Sequence, residues 1–233
     1  MNEEVKKIHS IEGAEDIMPL EDTKTSKKIA YRVVKRIFDL IMGLIGFIFL
    51  IPVALIVKLA YIFNGDFHSI FFTQDRIGKD GKLFKFYKFR TMVPNADEIL
   101  EKLLKENEEL AKEYKANKKL ANDPRITKAG DFLRRLSLDE LPQVINILKG
   151  DMAVIGNRPY LPREIPDMGE YYDIIVSTKP GLTGYWQVRG RNDVSFETRL
   201  KLEEYYSNHY SIKLDTYIFF KTFAVVLIGR GAK

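Results

Sequence analysis

The chain has 233 residues, of which 45% are hydrophobic and 30% charged, and 37 Lys and Arg against 32 Asp and Glu leave a formal net charge of +5. That is enough for one substantial domain with a real core, and it excludes both a disordered polyelectrolyte and a polytopic membrane protein. No cysteine and only His9, His68 and His209, far apart in sequence, exclude disulfides, thiol catalysis and thiolate zinc sites and argue against a histidine metal site or a His-dependent triad, so chemistry falls to carboxylates and cations.

Acids outnumber bases over residues 1–22, and then Lys24, Lys27, Lys28, Arg32, Lys35 and Arg36 follow without one acid. Residues 1–26 read as a flexible tail, and the basic collar precedes an apolar run. Residues 40–57, LIMGLIGFIFLIPVALIV, carry no charge. As a helix the run is about 27 Å long, just short of a hydrocarbon core of about 30 Å. It starts too late and lacks the cleavage site of a signal peptide, and a run apolar on all faces does not suit a soluble core helix. Pro52 lacks an amide donor and clashes with the Ile48 carbonyl, which predicts a break in mid-run. Cations flank the run on both sides, with Lys58, Arg76, Lys79, Lys82 and Lys85 after it. A re-entrant membrane hairpin over residues 37–60, bent at Pro52 with both ends cytoplasmic, satisfies the break and the charges together. Asp39, at the head of the run, is expected to pair with Lys35 or Arg36.

Beyond the run, Lys79-Asp80-Gly81 is a turn signal, and residues 83–90 mix aromatics with cations. They read as a strand or short hairpin with Phe84, Phe86 and Phe89 packed and Lys85, Lys88 and Arg90 reaching out. Residues 95–120, rich in Glu, Lys, Leu and Ala, read as one solvated amphipathic helix that Asp123-Pro124 ends. Further helices are predicted over 127–135, over 141–149 closed by Gly150, and over 196–208. The apolar end, Tyr217 to Ile228 interrupted by Lys221, fits an interfacial helix and a docked core helix equally well. The fold class is α/β, mostly α with few short strands. Residues 27–233 are taken as one compact monotopic membrane domain with amphipathic interfacial helices.

Arg134-Arg135-Leu136-Ser137-Leu138-Asp139-Glu140-Leu141-Pro142-Gln143 puts adjacent carboxylates at a helix start. Either Ser137 and Glu140 form a capping box, or Pro142 takes the first helical position. In both cases the amides and Arg134 attract anions while Asp139 and Glu140 offer hard oxygen ligands. Lys88, Arg90, Arg134, Arg158 within Gly156-Asn157-Arg158-Pro159, and Arg189 and Arg191 each lie beside Gly or Pro or end an extended aromatic run. Such cations suit phosphate contacts. The chemical reading is transfer of a phosphoryl group between a soluble nucleotide and something in the membrane, with Mg²⁺ neutralising the phosphates.

Lys-Arg-Ile-Phe-Asp-Leu opening the apolar run, FYKFRTM, SLDELPQ, NILKGDMAVIGNRP and KPGLTGYWQVRGRND together resemble the bacterial sugar transferases, the monotopic phosphoglycosyl transferases. The resemblance runs from about Ile29 to the C-terminus. It implies transfer of a hexose-1-phosphate from a UDP-sugar to undecaprenyl phosphate, giving the undecaprenyl diphosphate sugar and UMP, at the cytoplasmic face of the bacterial inner membrane, in the first membrane step of glycan assembly. It makes Asp139 the covalent nucleophile, Glu140 a Mg²⁺ ligand or acid/base group, and Lys88, Arg134, Arg158 and Arg191 phosphate or substrate contacts. It also places the re-entrant bend at Pro52. A carboxylate attacks phosphorus once cations offset the repulsion of two anions, and a covalent phosphosugar lets a soluble donor and a lipid acceptor use one site in turn. Ile51 stands where many relatives have Ser, and Asn157 where Pro or Ala is commoner. The sequence carries no counterpart of the multi-helix N-terminal region of larger members, so the resemblance is expected to be to a compact catalytic version. Residues around Tyr185 and Asn192 lean toward a galactose or glucose donor.

Two other readings compete. In one, Asp139 only holds Mg²⁺ and the lipid phosphate attacks directly. In the other, the chain is a non-catalytic membrane scaffold that binds anionic lipid, its acidic pair capping a helix. Nucleic acid is not an expected partner, because the cations flank an apolar insertion and form no long stripe. Monomer and homodimer both remain open.

Overall fold

The computed structural model describes residues 25–117, 120, 122–189 and 194–228. The expected tail, apart from its last two residues, lies outside them. The elements in chain order are helix α1 (Thr25–Phe63), strands β1 (Phe71–Ile77) and β2 (Leu83–Phe89), helices α2 (Ala96–Glu106), α3 (Glu108–Asn117) and α4 (Lys128–Arg135), a 3₁₀ segment (Leu138–Gln143), helix α5 (Val144–Lys149) and strand β3 (Ala153–Ile155). Helices α6 (Ile165–Met168) and α7 (Tyr172–Val176), strand β4 (Gly181–Thr183), and helices α8 (Tyr185–Arg189), α9 (Phe196–His209) and α10 (Ile212–Ile228) complete the order. The mostly helical α/β reading with few short strands stands.

Helix α1 continues unbroken through Pro52, where the sequence predicted a break between two arms. One missing backbone hydrogen bond is tolerated because both halves are clamped to the same fold. Tyr31 donates to Asp215 Oδ2 at 2.8 Å and Lys35 pairs with the same oxygen at 2.6 Å. Arg36 donates to the Ile147 and Leu148 carbonyls at 2.7 and 2.9 Å, satisfying the free end of α5. Asp39 is buried and accepts the Val154 N–H at 2.8 Å, so the predicted pairing of Asp39 with Lys35 or Arg36 is replaced by a contact to β3. Further along, Leu50, Val53, Ala54, Val57 and Tyr61 pack with Leu133, Leu138, Leu141 and Val144. Positions 31, 35, 39, 43, 46, 50, 53, 57 and 61 recur at intervals of three or four residues, one helical stripe facing the domain. The opposite face, including Val33, Ile37, Ile41, Leu44, Ile48, Phe49, Ile51, Leu55, Ile56 and Phe63, is exposed and apolar. Among the described residues this is the one helix long and apolar enough to cross a membrane.

Strands β1 and β2 pair antiparallel, Phe71 opposite Phe89 and Ile77 opposite Leu83, around the turn at Lys79-Asp80-Gly81. The far edge of β2 is completed by a side chain. The Asn146 amide, fully buried on α5, donates to the Lys85 carbonyl at 2.7 Å and accepts the Tyr87 N–H at 3.1 Å. Strands β3 and β4 run parallel, Ala153 opposite Gly181 and Ile155 opposite Thr183. They lie so close that a Cβ on Gly181 would come within 2.1 Å of the Gly156 amide nitrogen.

The stretch expected to be one helix over 95–120 is two. Asn107 is extended, and its Oδ1 accepts the Glu109 and Leu110 amides, so it caps α3 and does not continue α2. The helices predicted at 127–135 and 196–208 form almost as read, with Thr127 and Ser195 as N-caps. The C-terminal helix combines both of its readings. Leu214 and Ile218 are buried, and Phe219 meets Phe38 of α1 edge-on at 5.3 Å, while Phe220 and Phe223 stay exposed beside the apolar face of α1.

Candidate active site

The acidic pair lies in the 3₁₀ segment between α4 and α5. Neither predicted helix start is adopted: Ser137 takes a left-handed conformation, φ 56°, its side chain caps nothing, and the α-helix begins only at Val144. Pro142 explains the delay, since it cannot donate to the carbonyls behind it. The sequence Leu-Asp-Glu-Leu then divides by role. Leu138 and Leu141 pack onto the second half of α1, which seats the carboxylates directly against that helix. Helix α5 is held to α1 equally closely, because a Cβ on Gly43 or Gly46 would come within 2.9 Å of Leu148 or 2.6 Å of Val144.

Lys88, on β2, faces the pair: its Nζ is 2.9 Å from Glu140 Oε1 and 3.6 Å from Asp139 Oδ2. Burial pushes the Asp139 carboxyl above the ordinary range, and the neighbouring Glu140 charge adds to this against the pull of Lys88 and Arg134. Glu140 goes the other way. Burial works against its charge, but Lys88, Arg158 and the Gln143 side chain outweigh it and hold the carboxyl below its usual range. Two adjacent carboxyls driven apart by one ammonium and unequal burial are suited to different tasks.

Of the cations singled out from sequence, Lys88, Arg134 and Arg158 are brought to the pair. Arg134 is fixed by its Nε to Thr91 Oγ1 at 2.9 Å, and its charge acts on Asp139. The charge of Arg158 acts on Glu140, and its Nη2 lies 4.0 Å from Glu164 Oε1. Arg90 is not brought to the pair. Strand β2 ends at Phe89, and the buried Arg90 donates to the Ser69 and Met92 carbonyls and to Asp66 Oδ2 while lying over the Tyr61 ring at 4.6 Å. Its guanidinium is a strut between the end of α1 and the hairpin. Arg191 lies outside the described residues.

Two contributors escaped the sequence reading. Arg76, on β1 beyond Lys88 along the same face of the hairpin, lies over the Phe86 ring at 5.2 Å and donates to the Pro159 carbonyl at 3.0 Å, tying the hairpin to the Arg158 segment. Glu203, in α9, is buried and accepts the Arg158 amide at 2.9 Å. Glutamate at an interior helical position was the only available signal, and the half-buried Glu204 beside it in sequence gives the same one.

A family model described as bacterial sugar transferase matches residues 30–229. The exopolysaccharide production protein ExoY of Sinorhizobium fredii is 41% identical over 198 residues, 85% of this chain and 87% of that protein. The undecaprenyl-phosphate galactose phosphotransferase of Salmonella typhimurium is 40% identical over 217 residues, 93% of this chain and 45% of that protein. The UDP-galactose-lipid carrier transferase of Erwinia amylovora is 41% identical, again over 93% of this chain and 45% of its own length. The chain thus spans less than half the length of the larger relatives and most of the length of the ExoY type.

Proposed function

This chain belongs to the bacterial sugar transferase family, and from that premise we propose that it transfers a hexose-1-phosphate from a UDP-sugar to undecaprenyl phosphate, releasing UMP. The observation that carries the reading is the Asp139–Glu140 pair, charged against Lys88 and seated on the helix whose other face is exposed and apolar. A soluble anionic donor and a lipid-borne acceptor need a site of that kind at a bilayer surface.

Asp139 is the nucleophile. Its carboxylate oxygen attacks the β-phosphorus of the donor, an O–P bond forms, the bond to the bridging oxygen breaks, and UMP leaves. An oxygen of the lipid phosphate then attacks the same phosphorus, the lipid diphosphate sugar forms, and the Asp139 carboxylate is released. Lys88, Arg134 and Arg158 orient the phosphates and offset the repulsion between an anionic nucleophile and an anionic centre. Lys88 also draws Asp139 toward the ionised form against its burial.

Among the described residues no group of three or more His, Cys, Asp or Glu is placed to hold a metal ion. Two carboxylates are nonetheless a fitting donor set for Mg²⁺, which keeps waters and binds one or two carboxylates together with substrate phosphates. Glu140 and Asp139 would hold it, and bound there it supplies neutralisation of the diphosphate charge. The apolar face of α1 sits in the cytoplasmic leaflet without crossing it, the continuous helix being held to the same domain near both ends, so that both ends stay on the cytoplasmic side.

The test is UMP release by detergent-purified protein given a panel of UDP-sugars, Mg²⁺ and undecaprenyl phosphate. Lipid-dependent UMP with one sugar, and a phosphosugar adduct on Asp139 found by mass spectrometry in the absence of lipid, are the expected results. UMP release with no adduct under trapping conditions points to direct attack by the lipid. No UMP with any sugar from folded, membrane-inserted protein sinks the reading.

A further inference from the structure

Glu203 is 1% exposed and takes no part in the steps above. Its Oε1 accepts the Arg158 backbone N–H at 2.9 Å. Its Oε2 is buried without a hydrogen-bond partner, as are Nε of Arg158, Nε of Arg199 and the Tyr160 hydroxyl. A carboxylate deprived of water needs nearby cations and donors to stay charged. Arg158 and Tyr160 face it from the segment after β3, and Arg199 faces it from its own helix. Glu164 lies behind Arg158 and close to Arg76 of β1, at 4.0 Å from each guanidinium. Arg199 is itself fixed over the Trp186 ring at 4.4 Å. The carboxyl of Glu203 therefore sits at the foot of the loop whose guanidinium acts on Glu140.

We propose that Glu203 is a positioning residue for Arg158: its ionised carboxylate holds the Arg158 amide and keeps the guanidinium turned to the donor phosphates, and protonation loosens that hold. The inference rests on the transferase reading for what Arg158 contacts. Burial pushes the Glu203 carboxyl up to about 7, against Tyr160, Arg158 and Arg199, so the hold changes within the physiological pH range.

One measurement needs no turnover. In ¹⁵N NMR of the full chain in detergent, the Arg158 amide signal is expected to titrate with a midpoint near 7 in wild type and to stay flat in Glu203→Gln. The second is donor kinetics. Losing a hydrogen bond to a charged group predicts a roughly tenfold rise in KM for the UDP-sugar in Glu203→Gln, with kcat nearly unchanged. The step in kcat/KM near pH 7 should vanish as well. An Arg158 amide that does not titrate near neutral pH overturns the proposal, as does a Gln variant with wild-type KM and pH profile. If wild type releases no UMP, the transferase reading falls separately, and a titrating amide still supports the hold on Arg158.

Discussion

Asp139 and Glu140 are neighbours with opposite effects on the fold. Asp139 has only 13% of its side chain exposed, and its carboxyl is raised by burial and by Glu140. A group whose pKa is higher in the folded chain than in the unfolded one gives stability that is complete below the unfolded value and lost as pH rises through the folded value. Ionised Asp139 thus weakens the fold at neutral pH. For Glu140, held low by Lys88, Arg158 and Gln143 against its burial, the sign reverses: its contribution is present above the unfolded value and lost as pH falls. Asp139→Asn keeps the size of the side chain and removes the charge, so it should melt above wild type near neutral pH. That advantage should shrink as pH falls into the carboxylate range. Its UMP release should drop by roughly 10⁴-fold, the scale of losing a nucleophile. Glu140→Gln should melt below wild type at neutral pH. Calorimetric scans of the three proteins across pH check both signs, and an Asp139→Asn protein that melts at or below wild type near neutral pH would refute the account of a strained nucleophile.

Asn146 does at the level of elements what a third strand would do in a larger sheet. It follows the acidic pair by two turns and bonds both free backbone groups on either side of Phe86, so it fixes β2, and with it Lys88, against the 3₁₀ segment. Asn146→Ala leaves the Tyr87 N–H and the Lys85 carbonyl unpaired in the interior, a cost of roughly 3 kcal/mol at about 1–3 kcal/mol for each orphaned group. Chemical denaturation should show that loss together with weaker donor use, since Lys88 is one residue beyond Tyr87. A variant within experimental error of wild-type stability would mean that the edge of β2 is satisfied otherwise. Elements of this kind mark the limit of what the sequence disclosed. The helices at 127–135 and 196–208, the Lys79-Asp80-Gly81 turn and the apolar run were legible because periodicity, caps and turn residues are local. The acidic pair and three of its cations were legible because their types and spacing suit phosphate chemistry. The β3–β4 pair, the Asn146 edge, the Glu203–Arg158 bond and the Asp39–Val154 contact were not, since each joins residues far apart in the chain. Arg90 misled because outward alternation was extended one residue past the end of the strand.

At the scale of the whole molecule, the proposed seating of one long apolar helix in a membrane without crossing it rests on what holds the inner stripe of that helix. A spanning helix gives all its faces to lipid through the hydrocarbon core. In α1 the stripe from Tyr31 to Tyr61 is occupied by the domain: Tyr31 bonds Asp215, Asp39 takes the Val154 amide, and Tyr61 donates to the Arg90 carbonyl. Both ends of the helix are therefore tied to one folded body, the contact pattern that supports the proposed non-spanning seating. What remains for lipid is the outer face of α1, joined by Phe220 and Phe223 of α10 and by Phe132 and Leu136 at the end of α4. The chain has no cysteine, so single cysteines report topology without background. Lys58→Cys, before the end of α1, and Asn64→Cys, just past it, should react with a membrane-impermeant maleimide in inside-out vesicles and be protected in right-side-out cells, as should Arg32→Cys at the opposite end. Labelling of Arg32→Cys and Asn64→Cys from opposite sides would show a spanning helix and would require the contacts at Tyr31 or Tyr61 to open. Replacing the outward Ile48 and Ile56 with Asp, which no inward contact involves, should release the folded protein into the soluble fraction in proportion to the apolar surface removed. Membrane release with the melting transition preserved would separate the face that lipid covers from the stripe that holds the active site.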